Sequence, residues 1–441
     1  MVEARPSPIV RAVAPLVAVL EVLSRNQVDA SLATLEQAVL EAVRGVLPAL
    51  LQAVVMTSQR SLWPGGTARH WACPHCEGRS RVQSWRLRTV TTVCGVLSFE
   101  RPWCVCSRCG QGFSPTDGSL ALAARTRLSV GIQAWVVELG ASTSFPRAAA
   151  LLGRLTGMAV SAETVRQQTE GHGNRLEVTQ QAAAAQVLQT REAASAVDPA
   201  PGQLVVETDG VMVRYLDGWH EVKVGLVGGY VAGKLTKMSY TAARAAPEQF
   251  GPRLLAEAAR RGALEIVGWE GSPLQPRLAV LRDVALLGDG APWIWNLAAE
   301  HFGKRVEIVD FYHASEHVWT AAKARFGDIL EAATWANARV AELRTQGATP
   351  VQAALAEARA PTAEAEEVLR RERGYFRTNA ARMAYPTFQA AGLPLGSGAV
   401  ESSARHVVQQ RLKRAGCRWS AVGARGVLNV CCALASAVKA A

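Results

Sequence analysis

The sequence predicts an α/β protein with a mixed-sheet domain in its second half and smaller, separate regions before it. At 441 residues the chain is longer than one ordinary hydrophobic core requires. Apolar runs of strand length alternate with helical patterns from residue 203 onward. Two CxxC pairs mark a small cysteine-rich module well before that point. The chain is therefore expected to combine several domains.

The predicted domain boundaries follow changes in composition and pattern. Alanine- and glutamine-rich sequence ending at Pro201 and Gly202 predicts a helical spacer and joint before the sheet domain. The predicted regions are an N-terminal helical region (1–66), a cysteine-rich module (67–118), a helix-turn-helix (119–180), a linker (181–202), a sheet domain (203–313 and 397–441) and an all-helical insertion (314–396).

Hydrophobic periodicity predicts the elements of these regions. Apolar residues at helical spacing from Leu32 to Leu50 predict an amphipathic helix, with Pro48 as a point of interruption, that packs in a core or forms a coiled-coil dimer. In the sheet domain, three antiparallel strands are predicted at 204–206, 211–215 and 222–227, and two parallel strands at 284–287 and 306–309 flank a helix at 293–302.

Charge and apolar content limit the classes of partner. The net charge of +11 and the isoelectric point near 9.5 favour a polyanion, with nucleic acid ahead of an anionic membrane. Because no apolar run is expected to approach the roughly 20 residues needed to span a bilayer, no membrane partner is expected. The chain start lacks a basic-then-apolar secretory pattern, which predicts a cytoplasmic, nucleoid-associated protein.

The two CxxC pairs predict a structural zinc site. Cys73 and Cys76 form the first pair and Cys106 and Cys109 the second, so four thiolates can complete a closed tetrahedral site. Cys104 is a competing candidate for the fourth position, and unrelated buried thiols are the alternative interpretation. A ribbon-like module with Zn²⁺ is the preferred prediction.

Three carboxylates are candidates for a second metal site. Asp209 is predicted at the end of the first strand, Asp289 just past a later strand, and Glu401 early in the last helix. Carboxylate oxygens at one sheet edge suit Mg²⁺ or Mn²⁺ and the in-line transfer of a phosphoryl group. The alternatives are local: the Asp-Gly pairs form ordinary turns, and Glu401 pairs with Arg405 at i,i+4.

Several motifs taken together resemble bacterial insertion-sequence transposases of the Mutator-like superfamily, Kra-type group. They are Thr208-Asp209-Gly210, Gly288-Asp289-Gly290-Ala291, the string Asp310 to His313, and the segment from Gly396 to Ser402 followed by Arg411-Leu412-Lys413-Arg414 and Trp419. The resemblance implies a ribonuclease H-like catalytic domain with a DDE triad at Asp209, Asp289 and Glu401, and the helical insertion typical of that branch. It also implies that His313 lies near the reacting DNA; His317, one turn further on, is the competing candidate.

Basic residues predict where DNA is contacted. Arg166 and Gln167 lie on the second helix of the predicted helix-turn-helix, although a plain helical hairpin fits that segment equally well. A basic stripe is predicted to continue the helix of Glu401 along the DNA backbone, with a solvated surface as its alternative; its members are Arg405, Arg411, Lys413, Arg414 and Arg418.

These observations predict a DNA transposase that binds the terminal repeats of its element and a target DNA, and that acts as a homodimer or larger assembly. Two alternatives stay open. One is a nuclease or resolvase of the same fold that hydrolyses DNA without joining it. The other is a domesticated DNA-binding regulatory protein.

Overall fold

A computed structural model of the chain describes residues 7–26, 31–62, 70–190, 198–267, 278–281 and 283–438. The chain divides into two compact units, Met1–Gln168 and Thr169–Ala441. Helices and mixed sheets alternate along it, so the predicted α/β class is confirmed.

The first unit begins with two helices, α1 (Pro8–Asn26) and α2 (Leu32–Leu62), which pack against each other. Pro48 lies inside α2 without ending it, so the expected interruption there is wrong. The Pro48 ring packs on Gly95, where a Cβ would come within 2.7 Å of its Cγ. Val55 in the next turns packs with Leu97 and Phe99 of the neighbouring sheet.

The segment Leu32–Gln59 is long and apolar enough to cross a membrane, judged by length and composition alone. The expectation that no segment reaches this level is therefore wrong. Glu36, Glu41 and Arg44 interrupt the apolar run in the sequence.

A four-stranded antiparallel sheet follows, with its strands in chain order. Strands β2 and β3 form a long hairpin, and the two short outer strands each lie beside one CxxC turn. A short helix, α3, comes directly after the sheet. The bounds are β1 (Trp71–Ala72), β2 (Arg79–Thr92), β3 (Gly95–Cys106), β4 (Gly112–Phe113) and α3 (Pro115–Ser119).

Three helices complete the first unit: α4 (Val130–Ser142), α5 (Phe145–Thr156) and α6 (Ala162–Thr190). Gly157 ends α5 in the left-handed conformation at φ 75°, which gives the predicted helix, glycine turn and helix. The division between the units falls inside α6, and residues 181–190 of the predicted linker are helical. Residues 191–197 of that linker lie outside the described residues.

The second unit is built on a five-stranded mixed sheet in the order β11-β10-β5-β6-β7. Strands β5, β6 and β7 are antiparallel neighbours, and β10 and β11 run parallel to β5. The bounds are β5 (Gln203–Tyr215), β6 (Gly218–Val231), β7 (Lys234–Ala243), β10 (Val284–Gly288) and β11 (Arg305–Val309).

The first three strands are divided differently from the prediction. The segments 204–206 and 211–215 belong to one strand, because β6 pairs with β5 continuously from Gln203 to Tyr215. The third antiparallel strand is β7, which the sequence analysis missed because Lys234 and Lys237 obscure its alternation. The parallel strands and the helix between them match the prediction.

Two helices flank the parallel strands: α7 (Pro247–Arg260) and α8 (Pro292–His301). Their apolar faces join the buried core of the sheet through residues such as Leu254 and Ile294. A small antiparallel pair, β8 (Leu264–Val267) and β9 (Leu278–Leu281), forms a separate two-stranded sheet between β7 and β10 that the sequence analysis did not predict.

Five helices occupy the region of the predicted insertion. The first crosses the predicted boundary after His313, because Asp310 caps it from the end of β11. Their buried side chains, including Leu343 and Phe376, belong to the same hydrophobic core as the sheet. The bounds are α9 (Phe311–Arg325), α10 (Ile329–Gln346), α11 (Ala348–Glu357), α12 (Ala363–Asn379), the 3₁₀ turn Ala380–Met383 and α13 (Tyr385–Ala390).

The C-terminal part is not the single last helix that was predicted. Glu401 lies in α14 (Gly398–Ser403), which continues through a π-helical stretch, Ala404–Gln409, into α15 (Gln410–Leu412). The chain then turns at Gly416, with φ 76°, before α16 (Ala421–Val438). Wide π turns shift the side chains that follow relative to an α-helix.

Candidate functional site

Asp209 lies within β5, and Asp289 directly follows β10, the parallel neighbour of β5. The ladder between β10 and β5 ends at the pair Leu287 and Glu207, and the same register continued by two residues sets Asp289 beside Asp209. Asp209 is in the middle of β5, and not at its end as predicted, because β6 extends the pairing beyond the parallel ladder. It still lies at the edge where the parallel strands stop.

A nearby backbone N–H donates a hydrogen bond to the side chain of each aspartate. Gly210 N donates to Asp209 Oδ1 at 2.7 Å, and Ala291 N donates to Asp289 Oδ1 at 2.8 Å. Gly290 has φ 102°, and a Cβ there would lie 2.7 Å from the ring of Tyr375. The turn at Asp289 therefore requires glycine both for its backbone conformation and for its close contact with helix α12.

Asp310 joins the start of α9 to the loop before Glu401. It is 1% exposed, and its Oδ1 accepts from His313 N at 2.7 Å as the N-cap of the helix. Its Oδ2 accepts from Ser397 Oγ at 2.7 Å and also from Ser397 N. Phe311 N donates to Leu395 O at 2.8 Å, so the loop is bound to the same strand end twice.

Glu207 fixes the helix of Glu401 from the sheet side. Its side chain is fully buried, and Oε2 accepts from Val400 N at 2.8 Å. Burial, the hydrogen bond from Val400 and the nearby charges of Asp310 and Glu401 act together on this carboxyl, and the net effect raises its pKa to about 8. Near neutral pH it is therefore mostly protonated.

The electrostatics connect the predicted residues. Burial raises the pKa of Asp209 to about 6, and the charges of Asp289 and Glu401 act in the same direction. Burial also raises the pKa of Glu401, with Asp310 and Glu316 adding to the effect. His313 lowers the pKa of both Asp209 and Glu401. Like charges that share one region oppose full ionisation.

The three carboxylates are neighbours but do not form a closed cluster. In the described part of the chain, the four cysteine sulfurs, which lie within 4.8 Å of one another, form a group that could hold a metal ion, and Asp209, Asp289 and Glu401 do not form such a group. Glu401 is exposed, and no ion pair joins it to Arg405 among the described residues. The π-helical stretch after Glu401 disturbs the i,i+4 spacing that such a pair needs.

The two histidines differ in their surroundings. His313 is half-buried and lies 3.8 Å from Glu316, while its ring packs edge-on against His317. His317 Nδ1 lies 2.6 Å from Glu372 Oε2, and its ring stacks on Tyr375 at 3.6 Å. Tyr375 in turn donates to the backbone oxygen of Asp289 at 3.0 Å. His317 therefore braces the turn of Asp289, whereas His313 interacts with the carboxylates.

Sequence reasoning missed Glu207, Glu372 and Tyr375. A charged residue inside the apolar run before Asp209 was a usable signal for Glu207, because a buried carboxyl needs a partner. Glu372 and Tyr375 lie on a helix whose exposed face is rich in Glu and Arg, and their link to Asp289 depends on a tertiary contact that no local pattern reports.

The four cysteines of the CxxC pairs meet in the first unit. Cys73 Sγ is 3.6 Å from Cys109 Sγ, and Cys76 Sγ is 3.5 Å from Cys106 Sγ. Four sulfurs bound to zinc at about 2.3 Å lie roughly 3.8 Å apart, so this quartet could bind a metal such as zinc. The backbone N–H of Cys109 stabilises the Cys106 thiolate and lowers the pKa of that thiol to about 6.

Two glycines in the turns around the cysteines are required for different reasons, Gly78 by close packing and Gly110 by its backbone conformation. A Cβ on Gly78 would lie 3.0 Å from Cys106 Sγ and 2.8 Å from the Arg108 Cβ. Gly110 adopts φ 72° directly after Cys109. Cys104 is fully buried in β3 and does not belong to the quartet, which removes it as a competing ligand.

The predicted DNA-binding residues are in different surroundings. Arg166 and Gln167 both hydrogen bond to Glu163 at the start of α6, at 2.6 and 2.7 Å. Arg411 is 3% exposed and its guanidinium lies 4.8 Å from the centre of the Trp419 ring, so its assignment to an exposed stripe is wrong. The helix ends at Leu412, and the turn after it brings Trp419 back onto Arg411. The predicted residues that stay exposed there are Arg405, Lys413, Arg414 and Arg418.

Comparison with known proteins adds one match. The model of an uncharacterised protein family (UPF0236) matches residues 29–222, which is fewer than half of the 441 residues. A search of curated proteins found no match. The matched range includes the cysteine quartet and Asp209 and ends before Asp289, His313 and Glu401. Over that range the chain is similar to this family.

Proposed function

We propose that this protein is a DNA transposase whose second unit cleaves and joins DNA strands with the help of divalent cations. The observation that carries the proposal is the convergence of separate chain segments on one sheet edge. Asp209 lies within β5 and Asp289 directly follows the neighbouring parallel strand β10, and the buried bonds of Asp310 and Glu207 bring the loop and helix of Glu401 to them. This convergence supports the proposal that Asp209, Asp289 and Glu401 form a DDE triad.

The strand order also supports a ribonuclease H-like domain. Three antiparallel strands, a helix, a strand, a helix and a strand follow each other as expected, if the small β8 and β9 pair is set aside. The four cysteines support a structural zinc ribbon in the first unit. The positive charge of the chain favours DNA as the substrate.

Asp209, Asp289 and Glu401 would hold Mg²⁺ or Mn²⁺, because these cations prefer oxygen ligands. Bound there, they would activate a water or 3′-hydroxyl nucleophile and stabilise the leaving oxygen. The chain itself supplies the rest. Asp310 holds His313 and Ser397 at fixed positions, and Tyr375 holds the Asp289 turn. His313 provides a titratable nitrogen beside Asp209 and Glu401, suited to contacting a phosphate.

Glu401→Gln tests the proposal, because the amide keeps the side-chain volume and removes the negative charge. Duplex DNA made from the sequences flanking the gene is the substrate, and strand cleavage and joining to a plasmid are measured in Mg²⁺. We expect both reactions to fall by orders of magnitude while binding of the ends is unchanged. Glu357→Gln makes the same charge change on an exposed helix and serves as the matched control.

The possible outcomes separate the alternatives. Full activity in Glu401→Gln would contradict the triad. Cleavage without joining by the unsubstituted protein would indicate a nuclease or resolvase. End binding without any cleavage would indicate a regulatory DNA-binding protein.

A further inference from the structure

The first unit contains a cleft of about 740 Å³ beside the cysteine quartet. Its wall is the four-stranded sheet, and its rim is α3 with the loop that follows. Aromatic and basic side chains dominate the lining: Trp71, Trp103, Phe113, Arg86, Arg88 and Arg101. Asp117 is the acidic side chain among its lining residues, and Arg125 adds a further positive charge. The cleft therefore suits a ligand that is both flat and anionic.

The Trp103 ring is an aromatic surface whose orientation is fixed by packing. Its ring is half-buried and lies so close to Gly112 that a Cβ there would come within 2.6 Å of the ring carbon Cζ2. The exposed Arg86 guanidinium lies 4.3 Å from the ring centre, and that of Arg101 lies 5.4 Å from it. Planar bases stack on both aromatic rings and guanidinium groups. Packing against Gly112 thus holds the ring in place, and the Arg86 guanidinium lies over it.

Arg101 carries hydrogen-bonding capacity that the protein does not use. It is 7% exposed, and its Nε lies 3.2 Å from Asp117 Oδ1. Its Nη1 atom, and the Oγ atom of the equally buried Ser114, have no hydrogen-bond partner in the described ranges. Buried polar groups in native proteins are normally satisfied by protein, water or ligand. A phosphate oxygen in the cleft would accept from Arg101.

Arg88 braces the opposite side of the cleft. Its Nη2 donates to Ala123 O at 3.1 Å and to Thr126 O at 2.6 Å, so the loop after α3 is fixed to the sheet. The rim is therefore held in place by defined bonds. A preorganised cleft loses less entropy when a ligand binds than a loop that must first order.

We infer that this cleft binds one unstacked nucleotide of a DNA strand, with the base on the Trp103 and Arg86 layer and the phosphate against Arg101. A phosphopeptide would use the arginines but leave the aromatic surface without a flat partner. The inference rests on the proposed function for its choice of DNA as the source of the nucleotide. It does not depend on the carboxylates of the second unit.

The test uses the full chain with zinc bound, in buffer free of magnesium. The probe is a fluorescein-labelled single strand of about 12 nucleotides, a length within the range of known single-strand sites, and binding is read by anisotropy. We expect Trp103→Leu to weaken binding roughly 5- to 100-fold, since loss of one stacked base has that effect. Trp85→Leu is the matched control: Trp85 is 58% exposed and lies outside the cleft lining.

A second pair of variants changes charge without changing the core. Arg86→Gln removes an exposed guanidinium from the cleft, and Arg81→Gln removes one from the same strand outside it. We expect only the first to weaken single-strand binding beyond the general loss from one positive charge. Zinc content of the variants shows that the module is folded.

Four results would overturn the inference. The first is unchanged single-strand affinity in both Trp103→Leu and Arg86→Gln with zinc retained. The second is an equal loss for duplex DNA, which would indicate a backbone-tracking surface. The third is competition by dTMP as effective as by the oligonucleotide, which would indicate a free-nucleotide site. The fourth is equally effective competition by inorganic phosphate. Because no cleavage is measured, failure here and failure of Glu401→Gln report on separate hypotheses.

Discussion

Replacing Glu207 with glutamine should make the second unit more stable at neutral pH. The carboxyl is buried, and its pKa of about 8 lies well above the ordinary value of 4.5. Between those two values the unfolded chain loses the proton while the folded chain keeps it. Folding stability contributed by this group is therefore present below about pH 4.5 and is lost as pH rises towards 8.

The size of the effect follows from the pKa difference. One pKa unit corresponds to about 1.4 kcal/mol, so at pH 7 the group has lost roughly 3 kcal/mol and above pH 8 roughly 5 kcal/mol. A glutamine does not titrate, and its carbonyl oxygen can still accept from Val400 N. We therefore expect Glu207→Gln to gain stability over the unsubstituted protein by about 1.4 kcal/mol for each pH unit from about 5 to 7.

Urea unfolding at several pH values measures this difference. Because the chain has two units, hydrogen-exchange pulse labelling at one common pH should be read on peptides from Gln203–Val231. Magnesium is removed by chelation so that cation binding does not contribute. A stability difference between the two proteins that stays constant from about pH 5 to 7 would refute the reasoning, since it would mean that Glu207 does not titrate in this range.

Three further predictions concern other contacts. Cys73→Ser should reduce bound zinc below one ion per chain and destabilise the first unit, as elemental analysis and limited proteolysis would show. Full zinc retention in this variant would exclude the cysteine quartet as the zinc site. Arg253→Met should cost about 3 kcal/mol or more of unfolding free energy, because it leaves Glu177, paired at 2.7 Å and only 10% exposed, as an uncompensated buried charge. Tyr375→Phe should cost about 1 kcal/mol through the lost bond to Asp289 O and weaken cation binding measured by calorimetry; unchanged values for both would show that this hydroxyl does not support the turn.

The sequence was sufficient for features encoded by spacing. Two CxxC pairs predicted a quartet that the structure brings together, because a tight turn fixes the separation of the two thiols in each pair. The parallel strands around 284–288 and 305–309 were predictable because each is a short run rich in Val, Ile or Leu that lies next to turn residues. Asp289 and Asp310 follow these runs directly, so their position at the strand ends could be read from the chain.

Features set by distant contacts were not predictable. Asp209 looked like the end of a strand because Gly210 breaks the apolar pattern, yet pairing with β6 carries the strand onward. Arg411 fitted a helical stripe by spacing alone, and its burial depends on the return of Trp419 across a turn. The role of Glu207 depends on Val400, almost 200 residues later in the chain. In each case the deciding contact lies outside the local pattern of the segment, and for Glu207 it comes from a residue 193 positions away.

The contact between Tyr375 and the Asp289 turn limits how this protein can be shortened. A minimal version made by joining residue 313 to residue 397 would remove α12 and with it the ring that covers Gly290. It would also expose sheet-facing apolar residues that now share one core with the helices. The helical region thus stabilises both the sheet and the Asp289 turn of the second unit. A shortened form of the second unit therefore has to keep α12.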